Sequence, residues 1–578
     1  MKRVLWIVLC AVVTWTAQAQ TEATYDRLEK EYTLLPDGSI EYRCHKELTL
    51  HTQTAFNQLF GETFIVFDPA WQQVSIQESY TRQADGTVVK TPSNAFNEVL
   101  PAAAKDAPFY NGLRELVITH TGLEMGATIV LDYTVRTKPG FWPALEVDET
   151  LCQTGADMKE CRITVKVPQG TELRWSLEGR RESPVVTGGT YVWTFRGVPA
   201  ASGDLYAPKY GKPRLFATTL PSTADAMRAL TPPQTRDICL PPASVLEGLE
   251  SQTDKAFAIQ QYVAEGLGAC GVTPEMAGYC ARTVNDVMQT AYGTEMEKSF
   301  VLAKMLSCAG IPAEVVAVYP KNCSVRGLKN IVRLLVKADA DGRAYYLSAV
   351  DYPSADVRLR ADREAVVNLA GEEIAIDPET VKIAYEAKIT VDSSWNAVTE
   401  AQVRVPGLLY TPQEYRSAYT GAIVRRAGSL EKEEDRRIVT DDNGQRVEFR
   451  AVRTIRPQVG YALLSLPASG KGPESWAMTL LNTSRTDAVE IPYAVQEEDA
   501  YEIELTGGVV SATRDAEVSI DNAAGSLRIS VKNEPGRIVV HRAISLPKTQ
   551  LSVKDYEALR EILLAWWNAS GQQVILKK

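Results

Sequence analysis

The chain has 578 residues, 45% of them hydrophobic and 23% charged, with a formal net charge of -10. At roughly 100 to 200 residues per domain, that length points to three or four packed units with sizeable cores. The acid excess and the lack of a long basic run exclude a chain built to hold nucleic acid, because too little positive charge is available to meet the phosphates.

Lys2 and Arg3 precede an apolar run, residues 4–13, that closes on Ala17-Gln18-Ala19. This is the layout of a cleaved secretory signal, residues 1–19, with cleavage before Gln20. Such a run falls short of the roughly 30 Å of hydrocarbon that a spanning helix must cross. Cys10 lies inside it rather than just after it, which argues against a lipid-modified cysteine. No later stretch reaches eighteen apolar residues, so a mature chain without a transmembrane segment, periplasmic or envelope-associated, is expected.

Residues 20–215 read as short alternating strands broken by turns such as Pro36-Asp37-Gly38 and Pro168-Gln169-Gly170, which predicts an N-terminal antiparallel β-sandwich. Residues 216–360 change period, with helical patterns at 254–264 and 294–309 and a strand at 315–319, giving a central α+β unit. Alternation returns over 361–578, as in 381–391 and 537–543, and predicts a C-terminal β-sandwich. A last helix begins near Ser552, with Asp555 as its capping partner and Leu559, Ile562, Leu563 and Trp566 on one face. Residues 573–576 then return as a strand. The expected fold class is thus multi-domain α+β.

Generic motifs contribute little. Eight cysteines remain once Cys10 is removed, and Cys152 with Cys161 and Cys270 with Cys280 are the nearest pairs, although spacing alone decides no disulfide. There is no Cys-x-x-Cys and no His-Glu-x-x-His, so no metal site and no cofactor is predicted. Residues 266–271 spell Gly-Leu-Gly-Ala-Cys-Gly, but they follow a helical pattern where a dinucleotide fingerprint needs a strand. Trp71, Trp142, Trp175, Trp193, Trp395 and Trp476 lie mainly in strand regions, where they pack a core or stack on sugars. Glu431, Glu433, Glu434 and Asp435, flanked by arginines, read as a solvated surface segment.

Residues 254–263 (Asp-Lys-Ala-Phe-Ala-Ile-Gln-Gln-Tyr-Val), 282–293 ending Thr-Ala-Tyr-Gly, 299–306, and Ala309-Gly310-Ile311-Pro312-Ala313-Glu314-Val315-Val316 occur in an order that resembles the transglutaminase-like (papain-related) domain. The flanking regions resemble the strand-rich domains of unknown function that accompany it in exported bacterial proteins. The resemblance implies a nucleophilic cysteine at the head of the central helix, an imidazole on the next strand and an orienting aspartate after it. Here the positions read Glu295 after Gly293-Thr294, Asn330 within residues 328–333, and Ser348 within 345–348, with Asp351 nearby. The only histidines are His45, His51, His120 and His541, so no Cys-His pair can form within residues 121–540.

Thr294 and Glu297 instead have the spacing of a capping box, and Glu295 suits the positive end of the helix dipole. Cys308, striped with Val301 and Met305, reads as a core residue. Cys270 or Cys280 would need a base from another unit, His120 or His541. Glu295, Glu297 and Asp286 could be a hydrolytic carboxylate pair, but the cap explains Glu297 and no sugar-binding motif accompanies it. The expected function is a non-catalytic binding or scaffold role toward a peptide, glycan or envelope protein. The alternative is an amide-bond hydrolase or transferase with a displaced site.

Overall fold

In strand Val381–Val391 every second side chain is buried, Val381, Ile383, Tyr385, Ala387, Ile389 and Val391, and the same period repeats in Asn396–Val405 and Val495–Leu505. Alternation of this kind makes a sheet with one face in a core and one in water. The computed structural model describes residues 21–232, 239–352, 356–405, 413–441, 444–476, 484–568 and 571–578, so the signal-like segment 1–19 lies outside it.

The N-terminal region forms an eight-stranded sheet in the order Val185–Thr187, Thr190–Val198, Ala156–Lys166, Ala23–Leu34, Ile40–Leu50, Thr128–Thr137, Gln72–Arg82, Val88–Lys90. Two three-stranded sheets cover one of its faces. Glu62–Phe67, Arg114–Thr119 and Phe96–Val99 pack on Leu131, Val135 and Tyr133, and Glu146–Thr150, Arg174–Glu178 and Arg214–Thr218 pack on Leu28, Cys44 and Trp193. The sandwich differs from the expected one in a single pairing: Ala23–Leu34 runs parallel to Ala156–Lys166. A parallel neighbour needs a long crossover, and alternation along one strand carries no information about the direction of the next.

The central region holds an antiparallel five-stranded sheet in the order Arg343–Leu347, Arg333–Ala340, Ala313–Pro320, Glu364–Asn368, Glu373–Ile374. Helices Gln252–Gly266 and Glu295–Cys308 close one face, packing Ile259, Val263, Val301, Leu302 and Met305 on Val315, Tyr319 and Val336. The helix at 254–264 thus extends a turn beyond its apolar pattern, whereas that at 294–309 begins one residue late, since Thr294 is its cap. Residues 268–269 pair with 292–293, so the glycine-rich string links a helix to a bridge and builds no phosphate loop.

The C-terminal region repeats the sandwich plan. Its eight-stranded sheet pairs Val381–Val391 parallel to Val495–Leu505 and antiparallel to Asn396–Val405. Helix Tyr556–Trp566 buries Leu559, Ile562, Leu563 and Trp566 as its pattern predicts, and Ser552 accepts the Asp555 N–H at 3.3 Å. The pairs singled out by spacing are not bonded: Cys152, Cys161, Cys270 and Cys280 are free thiols. No helix among the described residues is long and apolar enough to cross a membrane.

Residues 202–210 tie the regions together. Asp204 accepts backbone N–H groups of Thr486 and Asp487 at 2.8 and 3.0 Å, Arg485 donates to the Leu205 carbonyl at 2.6 Å, and the Tyr210 hydroxyl donates to Glu364 at 2.7 Å.

The C-terminal core encloses two carboxylates, Glu497 and Asp499, with one guanidinium, Arg542, which donates to Asp499 at 3.1 Å and lies 3.8 Å from the centre of the Trp566 ring. Burial and their mutual repulsion raise the pKa of Glu497, and burial raises that of Asp499. The folded state therefore holds a proton that the unfolded chain releases near pH 4, and the site loses stability as pH rises above that value. Glu497→Gln is expected to gain Tm relative to the unsubstituted protein between pH 5 and pH 8 in calorimetry. A difference independent of pH would refute the shared buried proton.

Candidate functional site

The head of helix Glu295–Cys308 is where the sequence leads to the expectation of a cap with Glu295 in place of a nucleophile. Thr294 accepts the Glu297 N–H at 3.2 Å, and Glu297 accepts the Thr294 N–H at 2.9 Å, which completes the capping box foreseen from spacing. Glu295 turns to the sheet and accepts the Leu334 N–H at 2.9 Å. Its pKa is raised, first by burial and also by Asp351, while Leu334, Arg333 and Lys209 act in the opposite sense. Asn330 is 1% exposed and serves its own loop, accepting the Gly327 N–H at 2.9 Å and donating to Val325 O and Cys323 Sγ at 2.8 and 3.0 Å. Ser348 accepts the N–H groups of Val350 and Asp351 at 3.2 and 2.9 Å. Of the residues singled out in sequence, Asp351 therefore shares the electrostatics of Glu295, while Asn330 and Ser348 order loops.

The remaining candidates are also placed. His120 is buried with Nε2 at 2.9 Å from Thr63 Oγ1, and burial beside Lys46 lowers its pKa to about 3, so the ring stays neutral. His541 pairs with Glu498 at 2.8 Å on the C-terminal sheet. Cys270 lies 3.7 Å from the Ala103 carbonyl and burial raises its pKa, Cys308 is half-buried, and Cys280 is exposed. Asp286 caps the short helix Val284–Thr290 through Thr283, which separates it in role from Glu297.

Glu297 does far more than cap. Arg282 grips it through Nε at 2.8 Å and Nη2 at 3.0 Å, the Arg282 N–H donates at 3.0 Å, and the Tyr110 hydroxyl donates at 2.8 Å. Burial pushes the Glu297 carboxyl up, but Arg282 and these hydrogen bonds outweigh it and hold the pKa below its ordinary value. The guanidinium lies over the rings of Tyr292, Phe109 and Tyr110 at 4.5, 5.2 and 5.7 Å. Tyr110 belongs to the N-terminal region, so one buried charge joins two units. A second joint is Glu146, which accepts from Thr218 Oγ1 and from the N–H groups of Leu328 and Lys329, between 2.8 and 3.1 Å. It approaches so closely that a Cβ on Gly327 would stand 2.1 Å from its Oε1, which is why that position has no side chain.

Beside the Arg282–Tyr110 joint lies a cleft of about 530 Å³ lined by Trp71, Phe109, Phe141, Cys280, Arg282 and Asp286, among others. Trp71 is 40% and Phe109 65% exposed, and Trp71 stacks on Phe141 with ring centres 5.6 Å apart. A smaller cavity of about 330 Å³ in the N-terminal sandwich shares Asp68, Leu113 and Met276 with the cleft, so the two adjoin. Lys329 stands at this inner cavity, bonded to Glu275 at 2.7 Å and 5.3 Å from the Trp142 ring centre. Concave, mostly apolar and set between units, the cleft has the character of a ligand site. Of the six tryptophans named from the sequence, Trp71 lines this cleft, whereas Trp193 and Trp476 are buried in cores. The roles of Arg282 and Tyr110 carry no local sequence signal, because their shared partner Glu297 lies 15 and 187 positions away.

Residues 36–202 match a family model described as a domain of unknown function with solved structure, DUF3857, and residues 462–576 match a second such domain, DUF3858. The crystal structure of a "putative protease" from Parabacteroides distasonis ATCC 8503 superposes with a TM-score of 0.74 at 32% identity, covering 96% of this chain and 99% of that one. The chain belongs to the family of that protein, and is itself multi-domain and strand-rich with these two domains of unknown function. Yeast LTA4 hydrolase in complex with bestatin aligns at 10% identity over 34% of this chain and 28% of that one, with a TM-score of 0.19. An M1 zinc metallopeptidase from Deinococcus radiodurans aligns at 12% identity over 50% and 72%, with a TM-score of 0.18. Likeness this low carries no argument. No curated protein matches the chain.

Removing one partner of the buried pair leaves the other charge without compensation. Glu297→Ala is expected to cost about 3–5 kcal/mol of stability. Tyr110→Phe, which removes one hydrogen bond to a charged acceptor, is expected to cost roughly 1.5–3 kcal/mol. Urea unfolding followed by fluorescence measures both, and equal, negligible losses would contradict the joint.

Proposed function

We propose that the chain is an exported, envelope-facing binding or scaffold protein. Its central unit, residues 216–360, is read as a transglutaminase-like domain in which the helix head has become a structural joint. The ligand, a peptide, glycan or envelope protein, occupies the cleft lined by Trp71, Phe109 and Phe141. The observation that carries this reading is Glu295: a carboxylate stands at the nucleophile's place and is engaged by the Leu334 N–H, in a unit whose sequence contains no histidine. A carboxylate there attacks an amide poorly, and without an imidazole no group takes up and returns the nucleophile's proton. Asn330 faces Cys323 and Val325, so exchanging it for histidine together with Glu295→Cys is not expected to create a working pair.

One second reading is favoured by the description of the Parabacteroides relative as a protease: an amide-bond hydrolase or transferase with a displaced site. It would use Cys280, the exposed thiol of the cleft. The two readings separate in assays of peptide hydrolysis and of amine incorporation, run before and after iodoacetamide. No turnover above the buffer blank is expected in either. Turnover that alkylation or Cys280→Ser abolishes would defeat the binding reading.

A further inference from the structure

Near the C-terminal end of the described chain, strands Tyr461–Ser465, Gln573–Lys577 and Val510–Ser511 form a three-stranded sheet in that order. Ala462, Leu464, Val574 and Leu576 point inward and are buried in the C-terminal core. The alternate residues point outward, and there the pattern breaks the usual rule. Tyr461, Leu463, Val510 and Ile575 are 53%, 51%, 47% and 44% exposed. Register sets Leu463 directly opposite Ile575, and Lys577 between Tyr461 and Val510. Leu463 and Ile575 are direct cross-strand neighbours, and Tyr461 and Val510 flank Lys577 in the next row, so the four share one outward face as a stripe rather than scattered surface residues.

At the end of the stripe a tight hairpin closes through Gln458 N–H to Tyr461 O at 2.7 Å and Tyr461 N–H to Gln458 O at 3.0 Å. Its tip lifts Val459 to 99% exposure with φ at +49°. A β-branched residue is disfavoured in the left-handed region, and this side chain buries nothing in return.

Charge distinguishes what covers the stripe. Residues 456–465, 509–514 and 573–578 contain Arg456, Arg514, Lys577 and Lys578, all exposed, and no acidic residue, in a chain of net charge -10. Two neighbouring acids are already hydrogen-bonded: Asp515, next to Arg514, accepts from Asn533 at 2.6 Å, and Asp392, beside the Ser393 carbonyl that Lys578 reaches, accepts from the Ser394 N–H at 2.8 Å. An apolar face with cations set among and around its apolar side chains is complementary to the surface of an anionic bilayer, where phosphates lie above hydrocarbon. A second copy of the chain fits less well, because pairing the stripe with itself would bring like charges together.

We propose that this outer sheet face and the Val459 tip form a docking surface for an anionic lipid membrane. Val459, Tyr461, Leu463 and Ile575 enter the headgroup boundary, and Arg456, Arg514 and Lys577 meet lipid phosphates. The proposal stands apart from the reading of the central unit, since it concerns a different face and a different measurement.

Co-sedimentation of the chain from Gln20 onward, which retains every described residue, with phosphatidylcholine vesicles with and without phosphatidylglycerol tests it. Binding is expected only to the vesicles containing phosphatidylglycerol, and it is expected to weaken with salt. Lys577→Gln is expected to weaken it roughly fivefold. Val459→Asp combined with Leu463→Ser is expected to weaken it by roughly tenfold or more. Both changes lie on solvent-facing positions, and an unchanged Tm confirms an intact fold. If the double variant fails to fold, Lys577→Gln alone decides the matter. No vesicle binding, equal binding to both vesicle types, or binding indifferent to these substitutions would overturn the proposal. So would a concentration-dependent dimer that the same substitutions dissolve without any vesicle binding.

Discussion

The ionised carboxyl of Glu297, sealed away from water, is the constraint around which the first two-thirds of the molecule is arranged. A charge in that position is tolerable only if every lone pair is met, and five donors from three stretches of chain meet it: Arg282 Nε, Nη2 and N–H, Tyr110 Oη and Thr294 N–H. Satisfying the carboxylate therefore forces the helix head, the segment before it and the N-terminal region into one geometry. The aromatic rings around Arg282 shut out water and strengthen each of these bonds. Tyr110 and Arg282 of this joint also line the cleft, and Glu146 of the second joint lines the adjoining cavity.

A helix N-terminus favours an anion whatever that anion does. A thiolate held there can react, while a carboxylate held there can anchor. This chain places two carboxylates in the first turn and gives each a structural partner, Leu334 for Glu295 and Arg282 for Glu297. Lys298, the next residue, donates to the carbonyls of Ala264 and Leu267 at 2.9 Å, and burial lowers its pKa to about 8. Glu295, Glu297 and Lys298 are thereby committed to neighbouring elements, while Met296 between them is buried in the core. Such a helix head is stiff, a property suited to holding a shape for a partner.

The two outer regions solve the same problem in the same way. In each, the first strand pairs antiparallel with the second and parallel with a later one: Ala23–Leu34 with Ile40–Leu50 and Ala156–Lys166, and Val381–Val391 with Asn396–Val405 and Val495–Leu505. Each large sheet then covers one face with smaller sheets, and the C-terminal one adds the helix Tyr556–Trp566. Residues 202–210 run between them and bond to both the central and the C-terminal regions, so the outer regions are linked through the linker as well as through the centre.

Local physics was readable from the residues alone. The period-two burial of residues 381–391, the apolar face of the last helix and the Thr294–Glu297 cap all depend on neighbours within a few positions, and sequence displays those neighbours directly. The missing imidazole was legible too, because composition is a property of the chain before it folds. What sequence left open was decided at long range. Strand direction at residues 23–34, the turn of Glu295 toward Leu334, and the meeting of Tyr110 with Glu297 each pair groups many positions apart, whose approach is set by how whole sheets and helices pack. The aromatic cleft and the exposed stripe around Leu463 belong to the same class, for a surface exists only once the elements on either side of it have been placed.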